Sequence, residues 1–136
     1  EALTARDAAR ELWRRLGATV QQGDATRWLS RLSWYNGQTV PAQAYADEAI
    51  QLLGDQPPGR ELAMAYSNRA QLHMLQGENG DAIHWGHRAL QLARELGAGE
   101  IEAHALNNIG TAQLDSGDAA GALTLEQSLQ TSLARG

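Results

Sequence analysis

The sequence has no cysteine, no lysine and no phenylalanine. The absence of cysteine removes any disulfide framework and any thiolate chemistry, and suits a reducing cytoplasm. Because lysine is missing, all eleven basic residues are arginine, a bias expected of a GC-rich genome. Valine and isoleucine are few and form no run, whereas alanine and leucine abound. That composition points to helix and away from sheet. No apolar stretch approaches the roughly 18–20 residues of a membrane span, and no signal-peptide pattern opens the chain. The net charge of −5, with a pI of about 5.3, leaves no basic footprint for nucleic acid or an anionic membrane. A cytoplasmic protein that binds neither is expected. A chain of 136 residues makes one domain or part of a larger protein, and the start at Glu1 instead of Met reads as an excised fragment.

What the sequence does contain is a repeat. Ala65, Asn68, Ala70 and Gly77 recur as Ala105, Asn108, Gly110 and Gly117, a shift of 40 residues. The same shift aligns Gly37 with Gly77 and Gly117, Ala42 with Ala82 and Ala122, and Ser30 with Ala70 and Gly110. It also sets Ala49 and Ala89 beside Leu129, and Leu12, Leu52 and Leu92 carry the register back to the N-terminus. A fixed period of this length marks units that stack to build a continuous core.

Each unit reads as two helices. Leu62, Met64, Ala65, Tyr66, Ala70, Leu72 and Leu75 recur at three- and four-residue spacing, an amphipathic pattern stopped by Gly77. Ala82, Ile83, Ala89, Leu90, Leu92, Ala93 and Leu96 form the second helix, stopped by Gly97. The third unit copies this, with a helix over about 99–116, Gly117, Asp118 as N-cap, and a last helix to about 134. In the first unit a helix that starts between Ala18 and Asp24 ends at Gly37. Thr39, Val40 and Pro41 then cap a helix running to Leu53, with proline in the first turn, and the Gly54–Gly59 loop follows. The division expected is a half-repeat at 1–16 and repeats at 17–56, 57–96 and 97–136 of a single helical domain.

Within each unit, a small residue at position 8, Gly at 15, Ala at 20 and a small or apolar residue at 27 resemble the tetratricopeptide repeat. Here they are Ala70, Gly77, Ala82 and Ala89 with their partners. The small residues let paired helices approach closely. The resemblance implies an all-α, right-handed α-solenoid of antiparallel helix pairs, about three and a half repeats long. The 40-residue period exceeds the family's usual length of about 34, and position 11, commonly aromatic, holds Ser33, His73 and Gln113. A narrower resemblance rests on P-P-G-R-E-L-A-M-A-Y-S-N-R-A-Q-L and H-A-L-N-N-I-G-T-A. It is to the helical-repeat region of large bacterial LuxR-type, MalT-like ATPase transcriptional regulators, over most of residues 41–136. It implies a sensor or scaffold segment whose ATPase and helix-turn-helix modules lie elsewhere in a longer chain.

No catalytic constellation stands out. His84 and His87, three apart on one helix, could converge on an ion, but no Cys is available and His-Trp-Gly-His is not a zincin motif. The glycine-bearing segments at Gly77 and Gly97 lack the lysine and strand-to-helix context of a phosphate loop. A non-enzymatic protein without metal or cofactor is expected. The row Arg6, Arg10 and Arg14, interleaved with Asp7 and Glu11, reads as a solvated face with a Glu11–Arg15 pair, the alternative being a docking surface for a missing upstream part of the chain.

The family resemblance places the first helix of each repeat on an inner, concave surface. Asn68 and Asn108 share position 6 there, with Trp28 as their equivalent, and amides at that place suit the backbone of an extended ligand. The same periodicity adds Arg27, Arg31 and Trp34; Met64, Ser67, Gln71 and Met74; and His104, Asn107 and Thr111. Arginine would engage an acidic group, and methionine adapts to varied partners. The lysine-and-asparagine clamp of chaperone-binding relatives is not reproduced. The alternative is that Asn68 and Asn108 bond neighbouring helices and hold the stack. The partners expected are a protein, a peptide or other modules of the same chain, together with self-association through the cut ends. A general adaptor that binds a short peptide of another protein is the second reading.

Overall fold

The computed structural model describes residues 2–135. Glu1 and Gly136, the outermost residues of the first and last expected units, lie outside the described residues. These form seven helices and no strand: α1 (Ala2–Arg15), α2 (Thr19–Tyr35), α3 (Thr39–Gly54), α4 (Arg60–Leu75), α5 (Asn79–Leu96), α6 (Gly99–Asp115) and α7 (Ala120–Arg135). No helix among them is long and apolar enough to cross a membrane.

One local device ends five of the helices. Gly17, Gly37, Gly77, Gly97 and Gly117 all take positive φ, between 66° and 88°, which a residue with a Cβ adopts only with strain. The next amide then reaches back five residues: Glu78 N donates to His73 O at 2.9 Å, and Asp118 N to Gln113 O at 2.8 Å. This Schellman bond satisfies a carbonyl that the helix end leaves open. The α3–α4 connection lacks it and uses the Pro57–Pro58 loop instead.

The chain divides into two compact units, residues 1–65 and 66–136. In the first, α1 packs on α2 and α2 on α3. Ala42, Ala46, Ala49 and Leu53 present a buried stripe, and Ser30 Oγ donates to the Ala42 carbonyl at 2.7 Å. In the second, α5 packs on α6 and α6 on α7. Ala82, Gly86, Ala89 and Ala93 form the matching stripe of α5. A Cβ at Gly110, one of the expected small residues, would lie 3.0 Å from the Gly121 carbonyl oxygen, so there the small-residue pattern does bring helices close.

The register slips in the last helix. Ala122 is exposed, and Leu129 is 59% exposed, although Ala42, Ala49, Ala82 and Ala89 are fully buried. The residues that α7 turns to α6 are Gly121, Leu125 and Ser128, each one position earlier than the repeat places them. The helix start differs as well. In α3 and α5 the amides of Ala42 and Ala82 bond four residues back, to Gln38 and Glu78. In α7, Gly121 N bonds Asp118 O and Ala122 N bonds Ala119 O, three residues back. Such a turn advances about 120° per residue instead of about 100°, which rotates the facing set in the same sense but by only part of a position. Asp118 Oδ1 accepts from Ala120 N at 2.9 Å, the cap expected from sequence, and holds this tight start.

Candidate functional site

In the first unit the expected arginine-and-tryptophan end is built around Trp28 of α2. The guanidinium groups of Arg6, Arg27 and Arg31 lie 4.8, 4.8 and 5.9 Å from its ring centre. Arg27 is 4% exposed and paired with Asp24 at 3.0 Å. Burial pushes its pKa down, the Asp24 carboxylate opposes this, and the charges of Arg31 and Arg6 add to the lowering. Arg31 is half-buried and donates to the Tyr35 hydroxyl at 2.9 Å. Trp34 and Met64 are half-buried.

The arginine row of α1 is not simply solvated. Arg6 covers Trp28, and Arg10 donates to Glu48 of α3 at 3.0 Å while lying 5.3 Å from the Tyr45 ring centre. Arg14 is exposed and pairs with Glu11 through its Nε at 2.9 Å. That is closer than the expected Arg15 partner at 3.4 Å. The Arg14 hydrogen bond leads the forces that lower the Glu11 pKa to about 2, with Arg14 and Arg15 charges assisting against desolvation.

In the second unit, Asn68 and Asn108 are buried, Asn108 to 1% exposure. Asn108 Nδ2 donates to the Ser67 carbonyl at 3.3 Å, tying α6 to α4. Its neighbour Asn107 is exposed, as is His104, and Thr111, Gln71 and Met74 are half-buried. Ser67 is buried. One residue of helix rotation thus separates an amide that holds the stack from one that meets solvent.

A tetratricopeptide-repeat profile matches residues 61–131, more than half of the chain. The chain belongs to the tetratricopeptide-repeat family. Among solved structures, BtubC from P. vanneervenii superposes with a TM-score of 0.82 at 16% identity, over 98% of this chain and 56% of BtubC. The chain therefore spans little more than half of that protein. The N-terminal domain of stress-induced protein-1 from C. elegans superposes with a TM-score of 0.70 at 19% identity, over 84% of this chain and 87% of that domain. At these identities the likeness shows the fold alone: an all-α, tetratricopeptide-type solenoid of antiparallel helix pairs. No curated protein matches the chain in sequence. Membership of the family supports a protein-interaction scaffold.

Two features of the tetratricopeptide units escaped sequence reading. Tyr66 and Trp85 meet at 5.7 Å between ring centres, and Arg88 bridges them: it donates to the Tyr66 hydroxyl at 3.0 Å and lies over both rings. Arg69 sits 5.1 Å from the Trp85 ring centre. Only the aromatic residues themselves signalled this cluster, because its arginines come from separate helices. The second feature is His73, grouped with Glu78 and Asp81 so that their ligand atoms lie within 4.8 Å of one another. Arg69 Nε donates to His73 Nε2 at 3.2 Å, which assigns the ring proton to Nδ1, facing Glu78 Oε1 at 3.2 Å. Both ring nitrogens are engaged by protein, and the lone pair an ion would need is turned away from the carboxylates. His84, one of the two histidines weighed as ligands, makes a T-shaped pair with Trp85, 5.3 Å between ring centres.

Proposed function

We propose that the chain is a non-catalytic scaffold that holds an extended segment of a protein partner on the first helices of the repeats in its second unit, α4 and α6. The observation carrying this is the split of the candidate residues by burial. Asn68 and Asn108 lie inside, whereas His104, Asn107 and Thr111 on α6, and Gln71 and Met74 on α4, remain at least partly open. His104, Asn107 and Thr111 are spaced by three and four, a single helix stripe, and their imidazole, amide and hydroxyl groups complement peptide amides. In the first unit the half-buried Arg31 and Trp34 of α2 occupy the corresponding places.

The test is selection from a displayed library of short random peptides, followed by affinity and melting measurements on two variants. Asn107→Ala should weaken the selected peptides and leave melting unchanged. Asn108→Ala should lower the melting temperature. Retained affinity in a His104→Ala, Asn107→Ala double variant would overturn the α6 stripe as the site, and a library that yields no binder would overturn the scaffold reading.

The finer placement is as the repeat region of a LuxR-type regulator with an ATPase module elsewhere in the chain. It is supported by the sequence runs at residues 57–72 and 104–112. The full reading frame tests it. A phosphate-loop motif upstream and a helix-turn-helix downstream are expected, and their absence would leave the general adaptor.

A further inference from the structure

The α1–α2 face carries a strip of alternating guanidinium and aromatic groups. Along α2, Trp28, Arg31 and Tyr35 follow at three- and four-residue spacing, so they share one stripe. Arg31 lies 5.8 Å from the Tyr35 ring centre and 5.9 Å from that of Trp28. Arg6 reaches in from α1 to close the other end over Trp28 at 4.8 Å. Arg27 lies beneath, buried, with Asp24 as its carboxylate. Arg6 differs from Arg27: it is exposed and has no acidic partner among the described residues.

A guanidinium laid over an indole keeps its N–H edge open, because stacking uses only its face. The ring also restricts the side chain, so less freedom is lost when a carboxylate arrives and pairs bidentately. The three arginines repel one another across the same ring, and an added anion relieves that repulsion. The chain as a whole is acidic, at −5, so unspecific attraction of an acidic ligand is disfavoured and capture depends on this local patch.

We propose that the Arg6–Trp28–Arg31–Tyr35 strip binds acidic side chains of a peptide partner, with Arg6 as the open anchor. This rests on the scaffold reading above and names the chemistry of a peptide that the first unit would take. An acidic side chain pairs with the open N–H edge of Arg6, and a neighbouring part of the segment lies against the exposed Tyr35.

The probe is fluorescein-labelled hexaglutamate with an amidated C-terminus, followed by anisotropy, with hexaglutamine as the neutral counterpart. Hexaglutamate should bind, more weakly as salt rises, and hexaglutamine should not. Arg6→Gln should weaken binding on the order of tenfold without moving the melting temperature, since Arg6 is exposed. Arg94→Gln removes the same charge from α5, outside the strip, and should leave binding unchanged. Equal losses in the two variants, or none in Arg6→Gln, would overturn the proposal. So would displacement by inorganic phosphate at matched ionic strength, which would mark a simple anion site. If hexaglutamate fails while library-selected peptides still bind the α6 stripe, only this proposal falls. If no peptide of either kind binds, the scaffold reading falls with it.

Discussion

Gly110 and Gly121 touch backbone to backbone. A Cβ on Gly121 would lie 2.6 Å from the Gly110 carbonyl oxygen, and one on Gly110 would lie 3.0 Å from that of Gly121. Neither carbonyl can move without moving a helix. Gly121→Ala is therefore expected to destabilise by about 1–3 kcal/mol through overpacking, measured by urea denaturation. Gly80, with nothing within 4 Å of its would-be Cβ, is the control. Gly80→Ala should be neutral or stabilising by up to about 1 kcal/mol, the ordinary helix-propensity gain. If both substitutions behave alike, the close approach of α6 and α7 is wrong.

The rotated register of α7 makes a second prediction. Leu129 and Leu133 are 59% and 71% exposed, whereas the repeat register would bury them as it buries Ala89 and Ala93. Leu129→Ser and Leu133→Ser should each change stability by less than about 0.5 kcal/mol, as exposed substitutions do. A loss of about 2 kcal/mol or more, the scale of a buried leucine, would show that α7 keeps the repeat register in solution.

Arg27 and Asp24 make a third. Asp24→Asn leaves the nearly buried guanidinium without its counter-charge. It should cost roughly 2 kcal/mol, short of a fully buried pair because Asp24 is 34% exposed. Arg27→Met removes charge and desolvation cost together and should be the milder change by thermal melting. The reverse order would mean that Arg27 stabilises the fold through its own contacts more than Asp24 does by neutralising it.

Acid titration of Glu11 provides the fourth. Its folded pKa, about 2 against an ordinary 4.5, lies below the unfolded value. The pair with Arg14 therefore favours the folded state above pH 4.5, and that contribution fades as pH falls toward 2. Because the pair is exposed, salt screens it. Carboxyl chemical shifts should place the Glu11 midpoint near 2 at low ionic strength and move it upward in high salt. A midpoint near 4.5 at low salt would dissolve the pair.

Legibility differed from residue to residue. The helix ends at Gly37, Gly77 and Gly117 could be read because a left-handed cap is a local event, decided within six residues. The small residues at Ala42, Ala82 and Ala89 could be read because close packing leaves a periodic trace. The candidate site was less legible. Asn107 and Asn108 are the same residue type on the same helix, and nothing local says which one turns toward α4. Arg6 carries no sign in sequence that its guanidinium meets Trp28, because the two lie on different helices.

By itself the sequence determined the helices, their forty-residue cadence and their stops, since propensity, capping and amphipathic period act over a few neighbouring residues. Tertiary structure decided the rotation of each helix about its axis. In α7 the facing set, Gly121, Leu125 and Ser128, lies one position earlier than the repeat places it. In α6 the same freedom set Asn108 inward and Asn107 outward. A step of about 100° per residue changes no helix boundary, yet it chooses which side chains hold the stack and which remain open to a partner.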